Sequence, residues 1–351
     1  MAEGTYCVRP DILRVFVAEV FRAGGLNGEN ADFCANAMVD TNLWGVDSHG
    51  VLRLRIYATR LRSGALNPRP EIKTIKGSLG FEVLNGDDGP GFVVGRAAML
   101  RVVELAEAYN VGAVGAVRSN HFGAAAIYAR IAAERGMVGI AMTNVMPNML
   151  APDGKKPITG NNPVAVAIPT YGDFPFVLDM SLSAVAGGKL LLAAKKGEKI
   201  PLDWATDREG RPTDDPDKGF KGFLLPVGRF KGLGLSYVVD ILCGVVLGGA
   251  FGDQLKSMYA HADEPSLTGH MMIAINLESI IGEDELRERM AAFCTRVKSS
   301  ATWDEKAEML IPGEIEYRTA RARTESGIPI PVALYAELIQ LGSEMGVKSS
   351  L

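Results

Sequence analysis

Only four histidines occur in the 351 residues, His49, His121, His261 and His270, so any imidazole-dependent proton transfer must use one of them. His49 stands in Asp47-Ser48-His49-Gly50, at the start of a predicted helix for which Asp47 or Ser48 is a natural N-cap. Continued as a helix, the segment places Arg53 and Tyr57 about 40° and about 80° round the axis from His49, so imidazole, guanidinium and phenol share a face. That face could simply be solvated, since Arg55, Arg60 and Arg62 are close by. It could equally cradle a substrate, with the planar fork of Arg53 gripping a carboxylate beside an imidazole and a hydroxyl. His121 lies in Ser119-Asn120-His121-Phe122-Gly123, after a predicted strand and before a predicted helix. Open α/β sheets place ligands there, and capping the helix is the alternative reading.

Other chemistries fit less well. Ser48 next to His49 suggests a hydrolase, but Val46 replaces the first glycine of a G-x-S-x-G elbow. Adjacent helical residues also point about 100° apart, which does not make a nucleophile and its base. Gly89, Gly91 and Gly95 give G-x-G-x-x-x-G without the strand before it or the acid after it that a Rossmann site needs. The histidines show no H-x-x-x-H spacing and no carboxylate-rich cluster, so no metal is expected. Two segments suit a nucleotide. Lys231 opens an apolar helix after Pro226-Val227-Gly228-Arg229-Phe230, offering a cation and free amides to phosphate, unless it is only a solvated lysine. Asp179-Met180-Ser181 ends an apolar strand, so its carboxylate could accept hydrogen bonds from ribose hydroxyls.

The elements that must position these groups follow from periodicity and punctuation. Helices are expected at 11–23, 29–43 and 49–62, then strands at 71–76 and 79–84 and a turn-rich loop at 85–91. Helix and strand then alternate: helix 92–109, strand 111–117, helix 123–135, strand 137–143, apolar runs 163–168 and 175–180, and helix 184–196. A polar loop at 198–221, a helix at 231–248, a strand at 271–276 and helices at 283–299, 314–323 and 331–345 complete the chain. The expected fold is α/β, with a helical unit formed by both termini (1–117 with 300–351) around an α/β cofactor domain (118–299).

Composition narrows the classes further. Hydrophobic residues make up 47% and charged ones 22%, which is ordinary globular usage. A net charge of −4 without a basic block leaves no footprint for nucleic acid. Cys7, Cys34, Cys243 and Cys294 lack C-x-x-C spacing and read as reduced, mostly buried thiols without disulfides. The N-terminus has no signal-peptide pattern, and the apolar stretch 233–252 carries Asp240 near its centre, which suits a buried core helix and not a membrane span. A cytoplasmic location is expected.

Taken in order, NLWGVDSHGVLRLRIY (42–57), VLNGDDGPGFVVG (83–95), RSNHFGAAAIYA (118–129), TNVMPNMLAPDGKKPITGNNPVAVAIP (143–169), VLDMS (177–181) and LLPVGRFKGLGLS (224–236) resemble the type 2 malate/L-lactate dehydrogenase family. The resemblance covers most of the chain. It implies a non-Rossmann NAD(P)-binding fold, a homodimer, and hydride transfer between NAD(P) and a small 2-hydroxy acid such as malate, lactate, sulfolactate or ureidoglycolate. The same family includes reductases of cyclic imino acids, which is the nearest rival activity. A non-catalytic binding protein on this scaffold would be expected to lose His121 or Lys231, and both are present. Carried over by position, His121 is the acid/base at the cofactor edge, and Ser48, His49 and Arg53 line the substrate site with Arg53 on the carboxylate, where Tyr57 is expected from the helical face it shares with them. Asp179, Met180, Ser181, Lys231 and the turn Asn144-Val145 contact the dinucleotide. One departure is Val145, where the family often has a hydroxyl residue, so only its backbone could serve; Gly160-Asn161-Asn162-Pro163 keeps the family's G-x-N-P pattern. NAD is expected over NADP, because Asp179 repels a 2′-phosphate if it faces the adenosine ribose.

Overall fold

The computed structural model describes residues 4–348 and residue 351. Strand β1 (Thr5–Val8) leads into α1 (Pro10–Ala23) and α2 (Gly28–Leu43), the latter capped by Asn27, whose side chain accepts the Asn30 amide at 2.8 Å. Two short 3-10 turns, Asp47–His49 and Val51–Arg53, precede α3 (Leu54–Ser63). Next come β2 (Lys73–Ser78), β3 (Phe81–Asn85), α4 (Gly91–Tyr109), β4 (Val111–Ser119), α5 (Ala126–Ala133), β5 (Met137–Thr143), β6 (Val164–Ile168) and β7 (Phe176–Met180). Then follow α6 (Gly187–Lys196), β8 (Ala205–Thr206), α7 (Pro216–Lys221), β9 (Phe223–Leu224), α8 (Phe230–Asp240), β10 (Thr268–Asn276), α9 (Glu283–Lys298), α10 (Glu314–Ser326), β11 (Ile328–Pro331) and α11 (Val332–Met345).

Seven strands form one sheet in the order β2-β3-β4-β10-β5-β6-β7. Alternation of helix and strand suggests parallel neighbours, yet only β3 and β4 pair in parallel, because the late strand β10 inserts between β4 and β5 and runs opposite to both. Consequently β3, β4, β5 and β7 still point the same way, and their carboxyl ends share one edge of the sheet. Period-two alternation divides β10 between two layers. Met272 and Ala274 face the large core built with α4 and α5, whereas Met271 packs with Val117, Met142, Val239, Cys243 and Leu247 on the other face.

The two ends of the chain meet. β1 pairs antiparallel with β11, α11 packs on α1 and α3, and α10 packs on α2. The expected boundary between residues 117 and 118, however, falls inside β4, and β2 and β3 belong to the same sheet as the later strands.

The expected helix 49–62 is the main local correction. Gly50 has an extended backbone (φ −85°, ψ −147°) that separates the two 3-10 turns, and α-helix begins only at Leu54. The cause is Asn42, which wraps the loop: its Oδ1 accepts the Val51 amide at 2.8 Å, and a Cβ on residue 50 would sit 2.1 Å from that oxygen. Asp47 and Ser48 therefore do not cap a helix. The expected helix 231–248 also changes character, α8 ending at Asp240 and continuing as a single π-helical turn, Ile241–Val245. Of the cysteines, Cys34 and Cys243 are buried, Cys294 is half-buried and Cys7 is exposed, and all four are free thiols. No helix among the described residues is long and apolar enough to cross a membrane.

Candidate active site

β4 delivers its last residue, Ser119, to the shared carboxyl edge, and the loop beyond it carries Asn120, His121 and Phe122. The start of α4 lies against this loop so closely that a Cβ on Gly91 would stand 2.1 Å from the Asn120 carbonyl oxygen. Gly95 likewise packs under the Tyr128 ring. In the G-x-G-x-x-x-G run, Gly91 thus allows close backbone packing against the His121 loop and Gly95 makes room for the Tyr128 ring.

Opposite the loop stand the 3-10 turns and α3. The Tyr57 hydroxyl lies 2.6 Å from His121 Nδ1, and the His49 ring stacks on the His121 ring at a centroid distance of 5.8 Å and an interplanar angle of 16°. The Gly123 amide donates to the same nitrogen at 3.4 Å, a longer contact than the phenol's. Ser48 Oγ meets His49 Nδ1 at 2.9 Å, and the Ser48 carbonyl accepts Arg53 Nε at 2.8 Å. Arg53 also contacts the Tyr259 hydroxyl and lies over the Tyr259 ring, 5.4 Å from its centroid. Ser48, His49, Arg53, Tyr57 and His121 are therefore brought together, although not by the helical face the spacing suggested. The turn that carries Ser48 and His49 is clamped from behind: Asp47 accepts Asn42 Nδ2 at 2.6 Å and both guanidinium nitrogens of Arg323, at 2.7 and 3.0 Å.

His49 and His121 are each partly accessible yet deeply surrounded by protein, as in a cleft. That enclosure, with Arg53 adding repulsion, lowers the His49 pKa to about 4. Burial lowers the His121 pKa well below the usual imidazole range, helped by His49, Arg53, Arg60 and His270. Burial also holds the Tyr57 phenol protonated. The cleft is thus two neutral imidazoles and a neutral phenol beside two guanidiniums.

Three supporting residues were not singled out by sequence reading. Arg60, expected on a solvated face, is 1% exposed and donates to Asn120 Oδ1 at 2.9 Å. Tyr259 reaches Arg53 from the loop before β10. His270 lies under the site, with Nδ1 2.8 Å from Thr143 Oγ1 and Nε2 2.7 Å from Ser119 Oγ, and stacks on Phe122. Because the Thr143 hydroxyl donates to the Gly269 carbonyl at 2.9 Å, it must accept from His270, which fixes the proton on Nδ1. His270 thereby ties the ends of β4 and β5. A histidine between apolar residues in a strand gave no signal for this.

The residues assigned to a dinucleotide divide into two groups. Asp179, Met180 and Ser181 close β7 on the same sheet edge. Asp179 Oδ2 accepts the Ala126 amide at 3.0 Å, placing a carboxylate at the start of α5, and its crowded though accessible setting raises its pKa to about 6. Beyond Ser181, the Leu182 carbonyl accepts the Val227 amide at 3.0 Å, which brings the start of α8 alongside. There Arg229 and Lys231 are exposed, and neither has an ion pair among the described residues. These cations and the accessible strand end fit an anionic dinucleotide. Asn144 and Val145 fit less well. Asn144 is 0% exposed, its amide committed to Asp240 Oδ1 (3.3 Å), the Ala250 carbonyl (3.0 Å) and the Gly269 amide (2.8 Å). The Val145 amide donates to Asn162 Oδ1 at 2.8 Å, so neither offers a free donor.

A model of the family described as malate/L-lactate dehydrogenase matches residues 8–339. The L-sulfolactate dehydrogenase of Methanocaldococcus jannaschii is 37% identical over 341 residues, covering 97% of each chain, and its solved structure superposes with a TM-score of 0.92 over 98% of each. A malate dehydrogenase of Pyrococcus abyssi is 38% identical over 346 residues, 96% of this chain and 94% of its own. At greater distance, the Δ1-piperideine-2-carboxylate reductase structure from Pseudomonas syringae shares 26% identity and a TM-score of 0.85, over 96% of this chain and 100% of the other. With an ordered set of site residues on a fold matched along nearly its whole length, the chain belongs to the malate/L-lactate dehydrogenase family.

Proposed function

We propose that the protein is an NAD(P)-dependent dehydrogenase of small 2-hydroxy acids, oxidising them to 2-oxo acids, with His121 as the acid/base. The observation that carries this is the pairing of the accessible His121 imidazole with Tyr57 on one nitrogen, beside an arginine suited to a carboxylate. As the acid/base, His121 exchanges the substrate proton through Nε2, since Nδ1 is taken up by the Tyr57 hydroxyl, which burial keeps neutral, and by the Gly123 amide. Arg53, held by the Ser48 carbonyl, grips the substrate carboxylate. His49 stacks on the acid/base and orients the same substrate with Ser48. A nicotinamide held beside this cleft would supply the hydride acceptor for substrate carbon 2.

Charge balance explains how a strongly depressed imidazole can work. Protonating His121 beside Arg53 and Arg60 is costly in the empty cleft, and a substrate carboxylate supplies the missing negative charge, drawing the imidazole back toward the pH where it exchanges protons. Asp179, Met180, Ser181 and Lys231 would hold the dinucleotide, Lys231 at the diphosphate. NAD is favoured over NADP if Asp179 faces the adenosine ribose.

Further elements of this reading rest on surfaces and on the sheet. A homodimer is supported by the outer face of α8 and the following π turn, where Leu235, Val238, Ile241, Val245 and Val246 are exposed together. The α/β unit is best begun at β2, leaving the helices of both termini as the substrate-side unit. A cytoplasmic location fits the reduced thiols.

Reduction of a cyclic imino acid is the second reading, favoured by the likeness to the Pseudomonas syringae reductase. Assaying a panel of 2-hydroxy acids, 2-oxo acids and cyclic imines with NAD(H) and NADP(H) by nicotinamide absorbance decides between them. Turnover of a 2-hydroxy acid supports the first reading, and turnover of imines alone replaces it.

A further inference from the structure

Arg60 is a buried cation without a carboxylate. Its guanidinium donates to Ser266 Oγ at 2.9 Å, Asn120 Oδ1 at 2.9 Å and the Glu264 carbonyl at 2.8 Å, all neutral acceptors, and its Nε has no partner. The nearby carboxylates are engaged elsewhere, Glu264 with Lys256 and His261 and Asp88 with Arg118. A buried charge left so is expensive to the fold, which argues for a use. Its position indicates that use. Arg60 follows Tyr57 by one helical turn on α3, so a single face of that helix holds the dipeptide Asn120-His121 twice, through Tyr57 on the imidazole and Arg60 on the preceding amide. Asn120 passes the restraint on, its Nδ2 donating to the Asp88 and Gly89 carbonyls at 2.9 and 3.0 Å, just before the start of α4, while its Oδ1 also accepts the Ser266 amide at 2.8 Å.

We propose that Arg60 is a positioning residue for the reaction: its fork locks Asn120, and through it the placement of His121, while its uncompensated charge keeps the cleft electropositive for an anionic substrate. This rests on the dehydrogenase reading above. The groups that set the field at His121 are His49 and Arg53 on the 3-10 turns, Arg60 on α3 and His270 on β10, with the neutral Tyr57 phenol on Nδ1, so Arg60 is one of two permanent positive charges there.

The test is kcat against pH for 2-hydroxy acid oxidation, with cofactor affinity and melting temperature measured alongside, in wild type, Arg60→Gln, Arg60→Lys and Asn120→Asp. Arg60→Gln is expected to lower kcat about tenfold or more at unchanged cofactor affinity, and to move the acidic limb to higher pH, because a positive neighbour of His121 is gone. Arg60→Lys keeps the charge and therefore the limb, yet loses kcat, since a single ammonium nitrogen cannot reproduce the spread of the fork, whose two terminal nitrogens reach acceptors on different loops. Asn120→Asp supplies the missing counter-charge and raises the limb. Wild-type kcat in either Arg60 variant, or a limb that stays put in Asn120→Asp, overturns the proposal, and the Lys and Asp variants decide it should Arg60→Gln not fold. A wild-type enzyme inactive on every 2-hydroxy acid instead overturns the dehydrogenase reading itself.

Discussion

The Tyr57 phenol and the His121 imidazole meet at 2.6 Å, Oη against Nδ1, although 64 residues separate them in sequence. This contact occupies Nδ1 and leaves Nε2 as the ring nitrogen available to a substrate, so it sets the orientation of the imidazole proposed as the acid/base. Removing the hydroxyl in Tyr57→Phe should lower kcat about ten- to a hundredfold with little change in KM. Steady-state kinetics on the active hydroxy acid checks it. A raised KM at wild-type kcat would instead make Tyr57 a substrate ligand.

Arg53 tests the carboxylate site. Lysine keeps the charge but not the fork, so Arg53→Lys should raise KM more than about tenfold, or about 1.4 kcal/mol. The same variant also loosens the contact with Tyr259, which reaches Arg53 from the loop before β10. An unchanged KM would remove Arg53 from the substrate.

Lys231 tests the cofactor edge. It is exposed at the start of α8 without an ion pair among the described residues, so truncation leaves no partner behind and reads the interaction with the dinucleotide directly. Lys231→Ala should weaken dinucleotide binding by about 1 to 3 kcal/mol, as measured by calorimetry. Wild-type affinity would place the diphosphate elsewhere.

The sequence disclosed the residue types of the site more fully than their arrangement. His121, Arg53 and Tyr57 were readable because histidine is scarce and the spacing is helical, yet the helix begins only at Leu54, since Asn42 occupies the space that would force residue 50 to be glycine. Helices α1, α2 and α4 were legible from periodicity and their stops. The insertion of β10 between β4 and β5 was not, because strand order depends on long-range pairing that local patterns do not encode. Arg60 shows the same limit. In sequence it is one of several arginines on a polar helix, and only the loops carrying Asn120 and Ser266, which come from distant parts of the chain, bury it. Asn144 erred the other way: it lies on the expected edge, but the fold uses its amide in full.

The buried imidazoles predict an acid-sensitive fold. Burial lowers the pKa of His270 to about 3 and that of His49 to about 4, both below the value of about 6.5 in the unfolded chain. The unfolded state thus binds protons first, so the contribution to stability is complete above pH 6.5 and is lost as pH falls toward about 4 for His49 and about 3 for His270. Melting temperature should be nearly flat from about pH 8 to 6.5 and decline below, with a shallower decline in His270→Gln. Equal slopes in both proteins would contradict the assignment to His270.

The most direct measurement is kcat against pH for hydroxy-acid oxidation in His121→Asn and His49→Asn. A general base contributes about 10² to 10⁴-fold, so His121→Asn should lose that factor in kcat, lose the acidic limb and keep its cofactor affinity. His49→Asn, which removes a stacking and orienting ring, should cost less and retain the limb. If His49→Asn abolishes the limb while His121→Asn preserves it, the roles are reversed, and if neither changes kcat about tenfold, the proton is not carried by a histidine and the account fails.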